Sequence, residues 1–422
     1  MRGDNGERPF QELSPRTWYA GSTSSRGKDT HLPSNMTKKF FLIAGEASGD
    51  LLGSKLIAEL KLQNPQAEFI GVGGKLMCEQ GLTSIFPMEE LSVMGFLEIV
   101  PHLAKLLRRI RQTAETVIQE KPDFVITIDS PDFCFRVMKK LRDFKQVKKV
   151  HLIAPSVWAY REGRAEKISK LYDLLLAILP FEPPYFEKYG LKTVFIGHPI
   201  VENAPDFSKK EHTNLEFRQK YKIQQDALLL SLTPGSRNGE VTKIFPEFIG
   251  AVNLLAQKNS NLKVIIPLID KTRELVTTMA KDLKVEYFLI EKDEKKSAFF
   301  ATDFALAKSG TNTVEFSLYR IPMIVAYKIN CVTHFIVKRM VKIKFANLIN
   351  LISGREIIPE MLQKNCQAEK IAAVVERLIV NKNLAQDQVS ESELALKLMG
   401  LSSLENPSKK AAGEIGKLTI SN

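Results

Sequence analysis

Several features that define other protein classes are missing from this sequence of 422 residues. The cysteines Cys78, Cys134, Cys331 and Cys366 show no CxxC or Cys/His spacing, so the sequence indicates neither a zinc site nor a disulfide framework. No apolar run reaches the roughly 18 residues that a membrane-spanning helix needs. Nucleic-acid-binding motifs and aromatic base-stacking platforms are also absent. We therefore expect a cytoplasmic protein with reduced cysteines, no metal site and no nucleic-acid partner.

The composition is that of a globular protein with an excess of positive charge. Hydrophobic residues make up 44% of the chain and charged residues 26%, which is ordinary for a chain long enough to build two cores. The net charge of +12 points to an anionic partner, and charge alone does not choose between nucleic acid, a phosphorylated substrate and an acidic lipid surface. Without a nucleic-acid motif, acidic lipid is the better prediction.

The residues before Met36 are polar and lack the apolar segment of a signal peptide. We expect residues 1–37 to form a disordered extension. An arginine- and serine-containing leader leaves import into an organelle open as an alternative.

Two successive series of buried strands alternate with helical patterns. The predicted strands lie at residues 40–44, 69–74, 123–129, 148–159 and 174–180, and then at residues 227–237, 262–270, 286–291, 303–307 and 322–327. Near-continuous apolar strands separated by helices are typical of a parallel sheet that is covered on both faces. The predicted fold class is α/β, with two Rossmann-like domains whose mainly parallel sheets face a central cleft.

A polar and charged segment after residue 202 separates the two series. We expect a first domain at residues 38–200, a second at residues 201–385 and a helical or flexible C-terminal tail at residues 386–422. Ligands of open parallel sheets bind beyond the carboxyl ends of the strands, so candidate site residues are sought there.

A loop in the second domain has the form of a phosphate site. Ser309, Gly310 and Thr311 stand between an apolar run and a helical pattern, where unpaired backbone N–H groups and the helix dipole favour a phosphate. Glu315 follows in the first turns of the helix and could accept the hydroxyl groups of a ribose. The alternative is a plain helix cap followed by a solvated carboxylate.

A second loop supports the prediction of a ribonucleoside diphosphate. Gly235, Ser236, Arg237 and Glu240 stand in PGSRNGE, again between a strand and a helix. An arginine at the mouth of a glycine loop can grip a diphosphate through two hydrogen bonds. Either loop alone is a weak signal, and the pair predicts that the second domain binds the nucleotide.

The first domain has two candidate sites at strand ends. GEASGD places Gly45, Glu46 and Ser48 in a small-residue loop that opens a helix, where a ligand can approach the backbone; a compact turn is the alternative. IDSPDF places Asp129 at the carboxyl end of a buried strand, from which it could take a proton from an attacking hydroxyl. Asp132 fits a helix N-cap at least as well, so the chemistry is assigned to Asp129.

Residues 93–112 have the pattern of a basic amphipathic helix. Such a segment can lie on an anionic membrane surface, and an ordinary helix packed on the sheet is the alternative. The residues expected to contact the membrane are Val93, Met94, Phe96, Leu97, Val100, Leu103, Lys105, Arg108 and Arg109.

Nine blocks of sequence carry a resemblance to a known family: GEASGD, ELSVMGFLEIV, IDSPDF, APSVWAYREGR, ILPFEPPYFEKYG, FIGHP, LTPGSRNGEV, KSGT and NLISGRE. From about residue 38 to about residue 376 the chain closely resembles the lipid-A-disaccharide synthases of Gram-negative bacteria. The resemblance implies a GT-B glycosyltransferase fold. It also implies that UDP-2,3-diacylglucosamine and 2,3-diacylglucosamine 1-phosphate condense to a β(1→6) disaccharide phosphate plus UDP. From the resemblance we further expect an enzyme that needs no metal or cofactor and lies peripherally on the cytoplasmic face of the inner membrane. We also expect a homodimer with exchanged C-terminal segments.

The resemblance also assigns roles to individual residues. Asp129 matches the family's candidate base, Arg237 the arginine of the nucleotide loop, Glu315 the acidic residue at the ribose, and Asn350 the asparagine before the GRE block. The stretch that begins at Val93 matches the family's membrane-contacting patch. The sequence departs from the family near Asn350, where many members have a proline.

These assignments imply an inverting displacement in which Asp129 deprotonates the acceptor's 6-hydroxyl. Arg237 and the amides of the two loops would stabilise the departing diphosphate in place of a metal. Two other functions are weighed against this one: a UDP-N-acetylglucosamine 2-epimerase, which shares the two-domain architecture, and a non-catalytic protein that binds nucleotide or lipid.

Overall fold

A computed structural model describes residues 37–91, 99–159, 162–330 and 344–418, and of residues 99–103 it describes the backbone alone. The predicted extension, residues 1–37, lies outside these ranges except for its last residue. In the described ranges, no helix is both long enough and apolar enough to cross a membrane.

The first sheet has seven parallel strands. They are β1 Lys39–Ala44, β2 Glu68–Val72, β3 Leu82–Ser84, β4 Phe124–Ile128, β5 Lys148–Leu152, β6 Leu174–Ala177 and β7 Thr193–Phe195, in the spatial order β3-β2-β1-β4-β5-β6-β7. The connecting helices are α1 Ala47–Gln63, α2 Lys75–Glu79, α3 Ile99–Glu120, α4 Pro131–Lys140, α5 Arg164–Ser169 and α6 Pro183–Glu187. The ring of Phe40 on β1 stacks on Phe69 and Phe124 of the two neighbouring strands, with centroids 5.4 Å and 5.1 Å away.

The second sheet has six parallel strands. They are β8 Leu228–Thr233, β9 Leu262–Pro267, β10 Tyr287–Ile290, β11 Phe304–Lys308, β12 Met323–Tyr327 and β13 Glu360–Leu362, in the spatial order β10-β9-β8-β11-β12-β13. Its helices are α7 Lys210–Lys220, α8 Asn238–Ala256, α9 Arg273–Ala280, α10 Lys295–Ala301, α11 Thr311–Leu318, α12 Leu348–Ser353 and α13 Ala368–Val380.

The strand predictions are confirmed for the ten apolar segments, and three strands were not predicted. The missed strands β3, β7 and β13 have three residues each and lie at sheet edges. So short a strand has no room for a hydrophobic pattern, and an edge strand needs less apolar surface than a central one.

The last two helices connect the second half of the chain to the first. They are α14 Lys382–Leu398 and α15 Pro407–Lys417, so the expected tail at residue 386 begins inside a helix. Ala411, Ala412 and Ile415 of α15 are buried in the core of the first sheet. Glu202 accepts hydrogen bonds from the Ser408 backbone N–H and from Lys55, each at 2.8 Å, and so joins α15 to α1.

Candidate active site

Left-handed residues form the turn that carries Asp129. β4 ends at Ile128, and Asp129 and Ser130 then have φ angles of 49° and 45° before α4 begins. At the end of the neighbouring β5, Ile153 has φ of 78°. Residues other than glycine are strained in this region, and such strain clusters at functional sites because the surrounding structure has to hold it. The strained turn therefore coincides with the predicted position of the base.

The Asp129 carboxyl is half-buried at this strand end. Burial raises the pKa of Asp129 above its usual range, and a backbone hydrogen bond from Ser130 acts in the opposite direction. The Asp129 backbone N–H donates to the Leu152 carbonyl at 3.0 Å, which ties the turn to β5. A carboxylate with a raised pKa holds an abstracted proton more strongly than an exposed one, so the environment suits a general base.

The GEASGD loop lies against the Asp129 turn. A Cβ atom at Gly45 would stand 2.4 Å from Ser130 Oγ, so the close approach requires glycine. Glu46 and Ser48 are exposed at the start of α1, and the Glu46 side chain makes no capping hydrogen bond there. The structure thus brings the two candidate sites of the first half together.

Two further aspartates lie in these segments, Asp50 in α1 and Asp132 in α4. Asp50 is buried and accepts hydrogen bonds from the backbone N–H groups of Gly74, Leu76 and Met77 at 2.9–3.0 Å, so it caps α2. Asp132 lies exposed in the first turn of α4, whose N-cap is Ser130. The N-cap prediction for Asp132 is therefore wrong by two residues.

In the second half, the Gly235 loop leads into α8. Gly235 has φ of 137°, and a Cβ atom there would meet the Glu240 side chain at 2.8 Å. Ser236 is exposed, and Arg237 occupies the N-cap position of α8 with its side chain 76% exposed. The helix N-terminus and the guanidinium therefore meet at one open surface, which suits an anionic ligand.

Glu240 connects the two predicted phosphate loops. Its carboxylate accepts a hydrogen bond from the Ser236 backbone N–H at 3.1 Å and lies 3.1 Å from Lys308 Nζ and 3.8 Å from Arg237. Lys308 is the last residue of β11 and directly precedes the Ser309 loop. Sequence reasoning missed Lys308, although its position in the block KSGT was a signal.

The Ser309–Thr311 loop opens α11 as predicted. Ser309 donates from its hydroxyl to the Ala346 carbonyl at 2.7 Å, while Gly310 and Thr311 are exposed. Glu315 lies one turn into the helix and pairs with Lys295 at 2.6 Å. A ribose at Glu315 would therefore compete with this ion pair.

Asn350 lies in the interior. It is fully buried, and its side-chain oxygen accepts from the backbone N–H groups of Ile357 and Ile358 at 2.8 and 2.9 Å. Its amide nitrogen donates to the Ile358 carbonyl at 2.8 Å and to Glu360 at 3.2 Å. Because both the oxygen and the nitrogen of its amide are hydrogen-bonded, Asn350 holds the NLISGRE loop in place. Its side chain has no free polar atom for the direct contact with the nucleotide that we expected.

A cavity of about 160 Å³ joins the two halves at the Ser309 loop. Trp158 and His198 line it from the first half of the chain, and Gly310, Thr311 and Asn347 line it from the second. The Ser309 loop, which is predicted to hold the sugar nucleotide, and the segment after β5 thus share one space. Sequence reasoning missed Trp158, whose only signal was the block APSVWAYREGR.

Glu182 holds Trp158 at this cavity. Its buried carboxylate accepts from Trp158 Nε1 at 3.2 Å and from the backbone N–H groups of Ile178 and Leu179 at 3.2 and 3.0 Å. Burial raises the pKa of Glu182 to about 7, against the opposing effect of these hydrogen bonds.

The predicted membrane segment is described in part. Val93, Met94, Phe96 and Leu97 lie outside the described residues, as do the side chains of Val100 and Leu103. Arg109 pairs with Glu90 at 2.7 Å and stacks on Phe86, and Lys105 lies 3.3 Å from the same carboxylate. Arg108 and Leu107 are exposed on α3. Membrane contact by this segment stays a prediction.

The site belongs to a chain with clear relatives. The family model of the lipid-A-disaccharide synthetases matches residues 40–413. The chain belongs to the lipid-A-disaccharide synthase family. The synthase of Rhodospirillum centenum is 41% identical over 375 residues, which cover 88% of this chain and 92% of that protein. The Rickettsia akari synthase is 43% identical over 380 residues, which cover 89% and 95%.

Solved structures show the fold that the family resemblance implied. The UDP complex of Staphylococcus aureus MnaA has a TM-score of 0.57 at 17% identity, over 90% of this chain and 95% of that one. Acinetobacter baumannii MurG has a TM-score of 0.56 at 11% identity, over 90% and 100%. At these identities the likeness shows the fold alone, and together with the two parallel sheets it confirms the predicted GT-B architecture for this synthase-family chain.

Proposed function

We propose that this protein transfers 2,3-diacylglucosamine from UDP to the 6-hydroxyl of 2,3-diacylglucosamine 1-phosphate and releases UDP. Membership of the lipid-A-disaccharide synthase family carries this proposal. The site adds an independent argument, because it combines a half-buried carboxylate in the first half with two helix N-termini in the second.

The second half holds the UDP-sugar. Gly235, Ser236 and Arg237 at the start of α8 and the loop before α11 offer backbone N–H groups and a guanidinium to the diphosphate. Lys308 supplies another positive charge between the two loops. Glu315 receives the ribose hydroxyls once its pairing with Lys295 is exchanged.

The first half holds the acceptor and the base. Asp129 takes the proton of the acceptor's 6-hydroxyl as its oxygen attacks the anomeric carbon from the face opposite UDP. One carbon–oxygen bond forms while the bond to the diphosphate breaks, which inverts the configuration. The negative charge passes to UDP, where Arg237 and the loop amides stabilise it in the transition state. Gly45, Glu46 and Ser48 line the approach of the acceptor.

A peripheral position on the cytoplasmic face of the inner membrane completes the proposal, because both substrates carry acyl chains. The net charge of +12 and the exposed Arg108 and Leu107 support it. We expect a homodimer to exchange C-terminal segments, and α15 is the segment available for exchange because it packs on the first sheet rather than on its own half.

Thin-layer chromatography of the products tests the function. Purified protein with both acylated substrates should form a disaccharide phosphate and an equal amount of UDP, and neither substrate alone should react. Conversion of UDP-N-acetylglucosamine to an epimer would instead identify an epimerase. Binding of both substrates without UDP release would identify a non-catalytic protein.

A further inference from the structure

A groove in the first half takes no part in the mechanism above. It has a volume of about 560 Å³ and lies between α3, α4 and α5. The volume falls in the range of small-molecule sites, about 300–1,000 Å³. Its floor consists of Ile110, Phe135, Ile168 and Leu171, each less than a tenth exposed. An apolar floor of this size can bury the hydrocarbon part of a ligand.

The rim of the groove is positively charged. Arg136, Lys139, Lys140, Arg164 and Lys167 line it, and none of them forms an ion pair with a carboxylate of the described residues. Elsewhere on the first half, cations such as Lys55, Arg109 and Lys170 do have carboxylate partners. Five unpaired cations around an apolar floor attract an anionic amphiphile, and arginine and lysine are the residues that bind phosphate.

The charged residues of α4 are arranged in order along the groove, with the carboxylate at the start of the helix and the cations after it. The lining residues nearest to Asp129 in the chain are Pro131 and Asp132, and Asp132 is the single carboxylate of the lining. Arg136 and Lys139 follow four and seven residues later on α4, about 6 Å and 10 Å along the helix at 1.5 Å per residue. Counted from Asp132 at the start of α4, the cations therefore lie about one sugar ring along the helix, and Asp129 precedes this helix by two residues.

We propose that this groove binds the sugar-phosphate acceptor, with the 1-phosphate on Arg136 and Lys139 and an acyl chain on the apolar floor. The proposal rests on the proposed function, which requires an acylated sugar phosphate in the first half. The donor's phosphates have their own loops in the second half, so the cations of the groove are free for the acceptor. An acidic phospholipid has the same charge and apolar character, but it has no reason to adjoin the catalytic turn.

The double variant Arg136→Gln and Lys139→Gln tests the assignment, since both side chains are exposed and the substitutions keep the helix. A matched control is Lys281→Gln with Lys292→Gln, two exposed lysines of the second half that remove the same charge. Each protein is assayed in neutral detergent micelles with the acceptor and with the same acceptor lacking its phosphate. Equilibrium binding of the radiolabelled acceptor is measured in parallel.

For each protein, kcat/KM with the phosphorylated acceptor is divided by kcat/KM with the phosphate-free acceptor. In the double variant this ratio should fall about tenfold or more, as expected when charge-assisted hydrogen bonds are removed. Its KM for the UDP-sugar and its activity with the phosphate-free acceptor should stay at the wild-type values, and the control should match wild type throughout. Acceptor binding should weaken by the same factor.

Two results would overturn the groove assignment. One is a wild-type ratio and wild-type acceptor binding in the double variant. The other is a wild-type ratio in a double variant that no longer sediments with phosphatidylglycerol vesicles, which would assign the groove to a membrane lipid. Absence of disaccharide from the wild-type protein would contradict the proposed function instead, and the binding measurement would still report on the groove.

Discussion

Lys308 Nζ lies 3.1 Å from Glu240 Oε1, so the last residue of β11 is joined to the first turn of α8. The two loops that we assign to the diphosphate are adjacent in space through this pair and through the Ser236 N–H bond to the same carboxylate. We therefore expect Glu240 to act on a bound nucleotide through the loops, because it holds Ser236, Arg237 and Lys308 in one arrangement.

Substitution of Glu240 by Ala should weaken UDP binding by about tenfold, which corresponds to the net value of one or two hydrogen bonds to a charged group. The cause is that Lys308 and the Ser236 amide lose their common partner. Titration calorimetry with UDP checks this value. Unfolding in urea serves as the control, because an equal loss of stability and affinity would indicate general misfolding of the loop. An unchanged affinity for UDP would contradict the role of Glu240 in holding the two loops together.

The substitution Asn350→Ala tests whether the buried Asn350 side chain stabilises the fold. The substitution leaves the buried N–H groups of Ile357 and Ile358 without an acceptor, so we expect the free energy of unfolding to fall by about 2–4 kcal/mol. Urea denaturation measures this loss. A variant of full stability that no longer binds UDP would instead support the direct nucleotide contact that the family resemblance implied.

The buried Glu182 should make stability depend on pH. Its folded-state pKa of about 7 lies above the ordinary value of 4.5, so the folded protein binds more protons than the unfolded chain between these pH values. The stabilising effect of the protonated form is therefore complete below about pH 4.5 and is lost as pH rises through 7, a change of about 3 kcal/mol.

Comparison with Glu182→Gln isolates this contribution. His198, whose pKa burial lowers to about 4, acts in the opposite direction, since its neutral folded form gains stability as pH rises towards 6.5. His198 contributes equally to both proteins, so the difference in unfolding free energy between wild type and variant should change by about 2.5 kcal/mol from pH 5 to pH 8. A difference that is constant over this range would show that Glu182 does not titrate there.

The strands and the strand-end residues were predictable because their signals are local. A run of apolar residues that ends in a polar one predicts both a central strand and a side chain at the carboxyl end of that strand. Asp129 and the Ser309 loop were placed at strand ends in this way. Edge strands such as β7 carry no such run.

Contacts between distant segments were not predictable in the same way. Glu182 reaches Trp158 across 24 positions, and the Lys308–Glu240 pair spans 68. The hydrogen-bond partners of Asn350 are close in sequence, but nothing in the surrounding sequence distinguishes a buried amide from one that faces a ligand. Burial is decided by the packing of the whole domain, so these roles were visible only in the folded chain.

Asp129→Asn tests the central claim, that a carboxylate on the strained turn removes the acceptor's proton while the second half holds the nucleotide. We measure kcat for disaccharide formation and the dissociation constant of UDP on the same preparation. We predict that kcat falls by about 10²–10⁴-fold, the usual contribution of a general base, and that UDP affinity stays at the wild-type value. A variant that keeps most of its kcat, or that loses UDP binding in proportion to its activity, would contradict it.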